Sequence, residues 1–298
     1  MRPLRNLALA GVAIGAYAVA EARSYRVTTL PVPIPHTAPA LRVLHLSDLH
    51  LTARNRKLVG WLENLPAAIG PIDLAVATGD LIDDNSGIEP TVGVLNRFEA
   101  PLGCYYVLGS HDYFQSTLRG LVAGISELYA ARRDPVTSRP ADTESLEEGL
   151  GGLGWKSLAN TTDTISTPGG TVRVTGLDDP FLKRHDMAHI RREPDDALAI
   201  GLVHSPSAVS EWVLAGYDLI LAGHTHGGQV RLPGVGALVT NCTLPTALAS
   251  GLHMIGSSHL HVSAGLGTSK FAPIRLLCPP EATVLELLPT DPRGRVSI

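Results

Sequence analysis

Only three cysteines occur in the 298-residue chain, Cys104, Cys242 and Cys278, and no two form a Cys-x-x-Cys pair. That argues against a disulfide framework, and against thiolate sites for structural zinc or dithiol redox chemistry. It leaves the compartment open, because exported proteins without bridges are common. Positive charge is also short: 24 Lys and Arg stand against 28 Asp and Glu, a formal net charge of −4. A weakly acidic protein has no broad positive field to draw in a phosphate backbone, so nucleic acid is not favoured as a partner. Charged residues make up 17% of the chain and hydrophobic residues 44%, which speaks against disorder and supplies a core for one large α/β domain. No internal repeat of fixed period and no long low-complexity tract is present.

A full-length membrane span is missing too. The uncharged apolar run from Leu7 to Ala20 extends about 21 Å as a helix, against roughly 30 Å of bilayer hydrocarbon. It follows Arg2 and Arg5 and ends in Ala18-Val19-Ala20, the basic, apolar and small-residue order of a secretory signal or short anchor. Residues 1–23 therefore read as an export signal or membrane anchor, with a buried helix as the alternative. The positive end stays in the cytoplasm, which puts the rest of the protein outside it, membrane associated or exported. Pro31, Pro33, Pro35 and Pro39 follow, and such spacing reads as an extended linker over 24–40. The folded domain is expected over 41–290.

Within that span, short apolar runs alternate with segments of helical period. Leu41 to Leu46, Ile72 to Ala77, Cys104 to Leu108, Ala199 to Val203 and Asp218 to Ala222 read as buried strands. Leu58, Trp61, Leu62 and Leu65, then Ile88, Val92, Leu95 and Phe98, recur at helical spacing between the first three, the pattern of βαβ units. A further amphipathic stretch holds Leu118, Leu121, Val122, Ile125 and Leu128, and the charged segment from Arg132 to Glu148 reads as a mobile insertion. Thr171 to Thr175, His259 to Ser263 and Thr283 to Leu287 predict a second, more antiparallel sheet.

Polar, metal-capable residues stand directly after these strands, one strand after another. They are Asp48-Leu49-His50, Gly79-Asp80, Gly109-Ser110-His111-Asp112, His204, and Gly223-His224-Thr225-His226. The carboxyl ends of strands form the ligand crevice of an open α/β sheet, so five strands would deliver their polar residues to one place. Alone, each element has an ordinary explanation as a turn or a satisfied histidine; the ordered set does not.

The set resembles the calcineurin-like metallophosphoesterase superfamily, whose pattern is Asp-x-His, Gly-Asp, Gly-Asn-His-Asp/Glu, His and Gly-His-x-His. Gly227-Gly228-Gln229-Val230 and Gly265-Leu266-Gly267 with Pro273-Ile274-Arg275 further resemble its small bacterial branch with an export or anchor segment. The resemblance implies a four-layer αββα sandwich of two mixed sheets, with a dimetal site at strand C-terminal ends. It implies that Asp48, His50 and His226 hold a first metal, that Asp80 bridges, and that His204, His224 and residue 110 hold a second. Imidazole and carboxylate together suit divalent Mn, Fe or Zn. Two such ions activate a bridging water, whose hydroxide attacks a phosphoester in line. His111 is then expected to stabilise the transition state or protonate the leaving oxygen. Asp112 would orient His111 or serve as a turn carboxylate.

One position departs from the pattern: Ser110 stands where the family has a ligating asparagine. A neutral hydroxyl is shorter and a poorer donor than a carboxamide oxygen, so the second metal is expected to bind less tightly unless a water fills the gap. Other polar residues receive plainer readings. His45, His259 and His261 are strand histidines, His185 and His189 with Arg184, Arg191 and Arg192 a solvated helix face, Asp178-Asp179-Pro180 a turn, and Asp83 and Asp84 loop or cap carboxylates. The leading reading is a phosphodiesterase or phosphomonoesterase. A nuclease shares the centre but suits the charge poorly, and a non-catalytic scaffold should have lost more ligands. An anchor beside a membrane makes a lipid-linked phosphoester or nucleotide-sugar substrate plausible.

Overall fold

Side chains alternate across a strand, so a strand with apolar residues at both odd and even positions must be covered on two faces. Burial along Leu41–Leu46 and Leu219–Ala222 has that character. The computed structural model describes residues 2–116 and 139–290. The strands of its two large sheets are, in chain order, β1 (Arg26–Ile34), β2 (Leu41–Leu46), β3 (Leu74–Thr78), β4 (Cys104–Val107), β5 (Lys156–Ser157), β6 (Thr161–Thr167), β7 (Gly170–Gly176), β8 (Asp196–Val203), β9 (Leu219–Ala222), β10 (Gly251–Ile255), β11 (Ser258–Val262) and β12 (Glu281–Pro289).

The first sheet has the order β1-β12-β2-β3-β4-β5, and the second β10-β11-β9-β8-β7-β6. In the first, only β12 against β2 is antiparallel. In the second, the two edge pairs are antiparallel and the centre is parallel. Val43, Val76 and Val107 from one sheet meet Ile200, Leu219 and Leu221 from the other in a buried apolar seam. Leu44 and Leu46 face outward onto α2 (Arg56–Ile69), α3 (Ile88–Leu95) and α5 (Thr143–Gly152). Helix α2 buries Leu58, Leu62, Leu65 and Ile69, one stripe at helical spacing, and stops at Gly70, whose φ of 71° ends the helix. On the far side Trp212 of α6 (Val209–Leu214) packs with Tyr217 and Ile220. The result is the four-layer αββα sandwich of two mixed sheets, its last layer thin.

Three expectations change in detail. Residues 24–40 are extended but not a free linker: β1 pairs in parallel with β12 along its whole length. It lies at the sheet's edge, where Pro31 and Pro33 need donate no second ladder bond. The strand around Thr283 to Leu287 joins the first sheet, inserted between β1 and β2, rather than the second. Of the predicted insertion, residues 132–138 lie outside the described residues, as does the stretch from Leu118 to Leu128, whereas Thr143–Gly152 forms the docked helix α5. The N-terminal run is helix α1 (Arg2–Glu21), and no helix among the described residues is long and apolar enough to cross a membrane.

Candidate metal centre

Strands β2, β3 and β4 of the first sheet and β8 and β9 of the second all end at one rim, and each hands its polar residue to the same hollow. The chain bends back sharply there: Asp48, His50, Asp80, His224 and His226 have φ between 42° and 69°. Non-glycine residues seldom adopt this left-handed region, and such strain gathers at functional sites. Backbone bonds tie the turns together, Asp48 N to Gly79 O at 3.0 Å, His50 N to Asp80 O at 2.9 Å and Gly223 N to His204 O at 2.9 Å. Gly223 allows the sheets to close, because a Cβ there would collide with Ser47 Oγ and Asp48 Oδ2.

Asp48, His50, Asp80 and His226 bring one ligand atom each within 4.8 Å of one another. His50 Nε2 lies 3.1 Å from His226 Nε2 and 3.6 Å from Asp80 Oδ2, and His226 Nε2 lies 3.4 Å from Asp48 Oδ1. His50 Nδ1 donates to Asp83 at 3.1 Å, which leaves its Nε2 lone pair pointing inward. Burial, with His50 and the Arg275 guanidinium beside it, holds His226 well below the ordinary histidine range, the neutral state a ligand needs. Asp48 accepts from Ser47 Oγ at 2.7 Å and from His224 N, and burial raises its pKa.

A second cluster adjoins the first across Asp80. His204 Nε2 is 3.3 Å from Asp80 Oδ2 and 3.4 Å from His224 Nδ1. His204 Nδ1 donates to Thr78 O at 2.7 Å, and His224 Nε2 donates to Asn241 O at 3.1 Å. Each imidazole thus spends its proton on an outer carbonyl, which turns His204 Nε2 toward Asp80 and His224 Nδ1 toward His204 Nε2. Lone pairs converging on carboxylate oxygens repel until a cation stands among them, so the donor set fits two divalent metals. Burial opposes the charge on Asp80, yet His204 and His111 outweigh it and hold the carboxyl well below its usual range. The same attraction, with Asp48 adding to it, overcomes the burial of His204 and raises its pKa.

Ser110 opens α4 (Ser110–Tyr113) and is buried beside these residues in the chain turn, while His111 is half-buried. His111 N donates to Asp80 Oδ1 at 2.8 Å, and its ring stands 4.8 Å from that of His50. Its Nδ1 meets Ser116 Oγ at 2.8 Å, and Ser116 donates to Asp83 at 2.6 Å. Asp112 has another duty: its two oxygens accept from Leu81, Ile82 and Gly109 backbone N–H groups, and burial lifts its pKa to about 7. The orientation of His111 that the sequence pointed to Asp112 for runs instead through Ser116.

The residues that sequence reasoning missed lie behind the ligands. Asp83, read as a loop or cap carboxylate, is fully buried and serves both His50 and, through Ser116, His111. Asp84, its neighbour, does cap a turn, accepting from Ser86 N at 3.0 Å. Arg275 is fully buried as well. Its Nη2 donates to the Gly265 and Gly267 carbonyls at 3.1 and 2.7 Å and lies 3.4 Å from His226 Nδ1. His185 lies in a loop and His189 ends a single 3-10 turn, Met187–His189, so the two do not share a helix face. His45 and His261 form a fully buried pair between the sheets, Nδ1 to Nδ1 at 2.8 Å.

Comparison with known proteins agrees with this geometry. The chain is 29% identical over 268 residues to the uncharacterized metallophosphoesterase YkuE of Bacillus subtilis, covering 87% of this chain and 82% of that protein. It is 27% identical over 279 residues to the UDP-2,3-diacylglucosamine pyrophosphatase LpxG of Chlamydia trachomatis, covering 83% and 84%. It is 32% identical over 157 residues to the phosphodiesterase YaeI of Escherichia coli, covering 50% and 55%. The sequence pattern of the calcineurin-like phosphoesterases matches residues 41–228, the span that holds every residue of the two clusters. With strand-end carboxylates and imidazoles gathered as a metal-dependent phosphoester hydrolase requires, the chain belongs to the calcineurin-like phosphoesterase family.

Proposed function

We propose that this enzyme cleaves a phosphodiester or pyrophosphate linkage in a lipid-linked substrate, working at a membrane surface outside the cytoplasm. The carrying observation is that an apolar surface is joined to the metal centre through one residue. Arg275 N donates to Ala18 O of α1 at 2.9 Å, while the Arg275 guanidinium reaches His226. Leu9, Val12 and Ile14 of α1 are more than half exposed, and Ile274 and Leu277 flank Arg275 with exposed side chains. An apolar helix that is not long enough to cross a bilayer would bury its exposed side chains in one leaflet. Beside His226 a cavity of about 270 Å³ has Val230, Leu238 and Val239 in its wall with Gln229 and Asn241, room for part of an apolar leaving group next to the reacting phosphorus. The relative LpxG, named for a diacylated sugar nucleotide, supports the same substrate class.

Two bound divalent ions would supply Lewis acidity and an activated water. Asp48, His50, Asp80 and His226 would hold one, and His204, His224 and Asp80 the other. His111, with Nδ1 fixed on Ser116, presents Nε2 as the group that steadies or protonates the leaving oxygen. Asp83 keeps both His50 and His111 in register for that task.

The test is hydrolysis by chelated protein to which Mn²⁺, Fe²⁺, Zn²⁺ or Mg²⁺ is returned singly. The substrates are an aryl phosphodiester, an aryl phosphomonoester, and a diacylated sugar-nucleotide diphosphate in vesicles beside its deacylated form. Metal-dependent turnover with preference for the acylated substrate is expected. Equal rates on acylated and deacylated forms would remove the lipid-linked reading, and turnover without metal would remove the two-cation mechanism.

A further inference from the structure

Ser110 leaves the second cation position short of one good oxygen ligand. A sixth strand end supplies a candidate. Strand β7 runs parallel to β8 with Gly176 opposite Leu202, and Leu177 N donates to Leu202 O at 3.0 Å. The residues that follow, Asp178 and Asp179, therefore leave the sheet alongside His204.

The two aspartates differ in what they have left to offer. Asp178 is fully engaged: Tyr113 Oη donates to Oδ1 at 2.8 Å, and Arg184 Nε to Oδ2 at 2.9 Å. Asp179 has no exposed surface. Its Oδ1 accepts from Phe181 N at 2.9 Å, while its Oδ2 is buried with no hydrogen-bond partner among the described residues. A buried carboxylate oxygen without a partner is costly and is seldom retained without a reason.

The surroundings give that reason a direction. His204 is the charge that most favours ionised Asp179, and Asp80 opposes it, while burial pushes the pKa up to about 6. The loop is fastened over the second cluster: the Phe181 ring is 5.3 Å from that of His224, and Arg184 N donates to Asp179 O at 3.0 Å. Through Asp178 and Tyr113 it is also tied to α4, the helix that Ser110 opens.

We propose that Asp179 is a ligand of the second metal, its Oδ2 taking the part that a neutral Ser110 fills poorly beside His204, His224 and Asp80. This rests on the two-cation reading of the centre. A carboxylate is a harder and more strongly charged donor than a hydroxyl, so the exchange moves the ligand from the first sheet's loop to the second's without weakening the site. The turn read at Asp178-Asp179-Pro180 is then the loop that closes the centre.

The experiment titrates Mn²⁺ into the metal-free full chain, counting bound ions calorimetrically and following the paramagnetic resonance spectrum. The native chain should bind two ions and give the spectrum of an exchange-coupled pair. Asp179→Ala, and Asp179→Ser, which keeps an acceptor for Phe181 N, should hold the first ion within about threefold. The second should weaken by more than the roughly 10- to 100-fold that follows loss of an outer partner, leaving the spectrum of an isolated ion. Adding Ser110→Asn should bring the second ion and the coupling back, which a merely structural residue would not allow. A second ion retained within about threefold in both single variants would overturn the proposal while leaving the two-cation reading intact. Loss of the ion with no rescue by Ser110→Asn, and with a lowered Tm of the metal-free protein, would also overturn it. A native chain that binds fewer than two ions would sink the two-cation reading and the proposal together.

Discussion

The two cation positions are built to different degrees of completion. The first gathers Asp48, His50, Asp80 and His226 within one small radius, and Asp83 and Arg275 stand behind its imidazoles. The second has His204 and His224 braced by backbone carbonyls and a serine where a stronger donor belongs. Outer partners, carboxylate or carbonyl, fix an imidazole's tautomer and angle and raise its basicity. The contrast is one of partners: the imidazoles of the first position lean on side chains, those of the second on backbone carbonyls.

Asp80 belongs to both, and its loss should erase the difference. Asp80→Asn is expected to remove most activity and to weaken both ions together, as metal counting beside a turnover assay would reveal; retention of two tight ions would contradict a shared ligand. His111→Ala should keep both ions and lower kcat by about 10²- to 10⁴-fold, the usual contribution of a positioned acid or base. A matching loss of metal would instead make it a ligand.

The next effect separates the positions. Asp83→Ala should weaken the first ion by about 10- to 100-fold and spare the second. Acidification should strip both positions. A metal needs neutral imidazole, and despite burial the neighbouring carboxylates raise the pKa of His204 at the second position and of His50 at the first, whereas burial depresses that of His226. As pH falls, protons therefore compete at both positions from above the ordinary histidine value of about 6.5. Metal retained per chain should fall with pH through that range; full retention well below about pH 5 would contradict this. The smallest change is expected one residue from Asp83: Asp84→Ala should cost about 1 kcal/mol of stability, the value of a lost cap, and leave metal affinity alone. A metal effect there would blur the distinction between the two neighbours.

The sequence made the ligands legible because Asp48, His50, Asp80, His204, His224 and His226 follow apolar strands where turn formers alone would be expected. Strand positions β2, β4 and β9 were readable for the same reason, as continuous apolar runs of limited length. What stayed hidden depends on approach through space. Asp83 and Asp84 are indistinguishable in spelling, and only the fold turns one onto His50 and the other onto a backbone N–H. Arg275 lies 49 residues from His226 along the chain yet touches it. Prolines made β1 look like a linker because an edge strand tolerates them, and nothing in the spelling of β12 says that it inserts between β1 and β2.

Folding is expected to gather six side chains from two sheets around a shared pair of cations. Anomalous diffraction from crystals of the full chain soaked in Mn²⁺ tests it most directly. Two peaks are predicted, one among Asp48, His50 and His226 and one beside His204 and His224, with Asp80 reaching both. A single peak elsewhere, or none, would contradict the account.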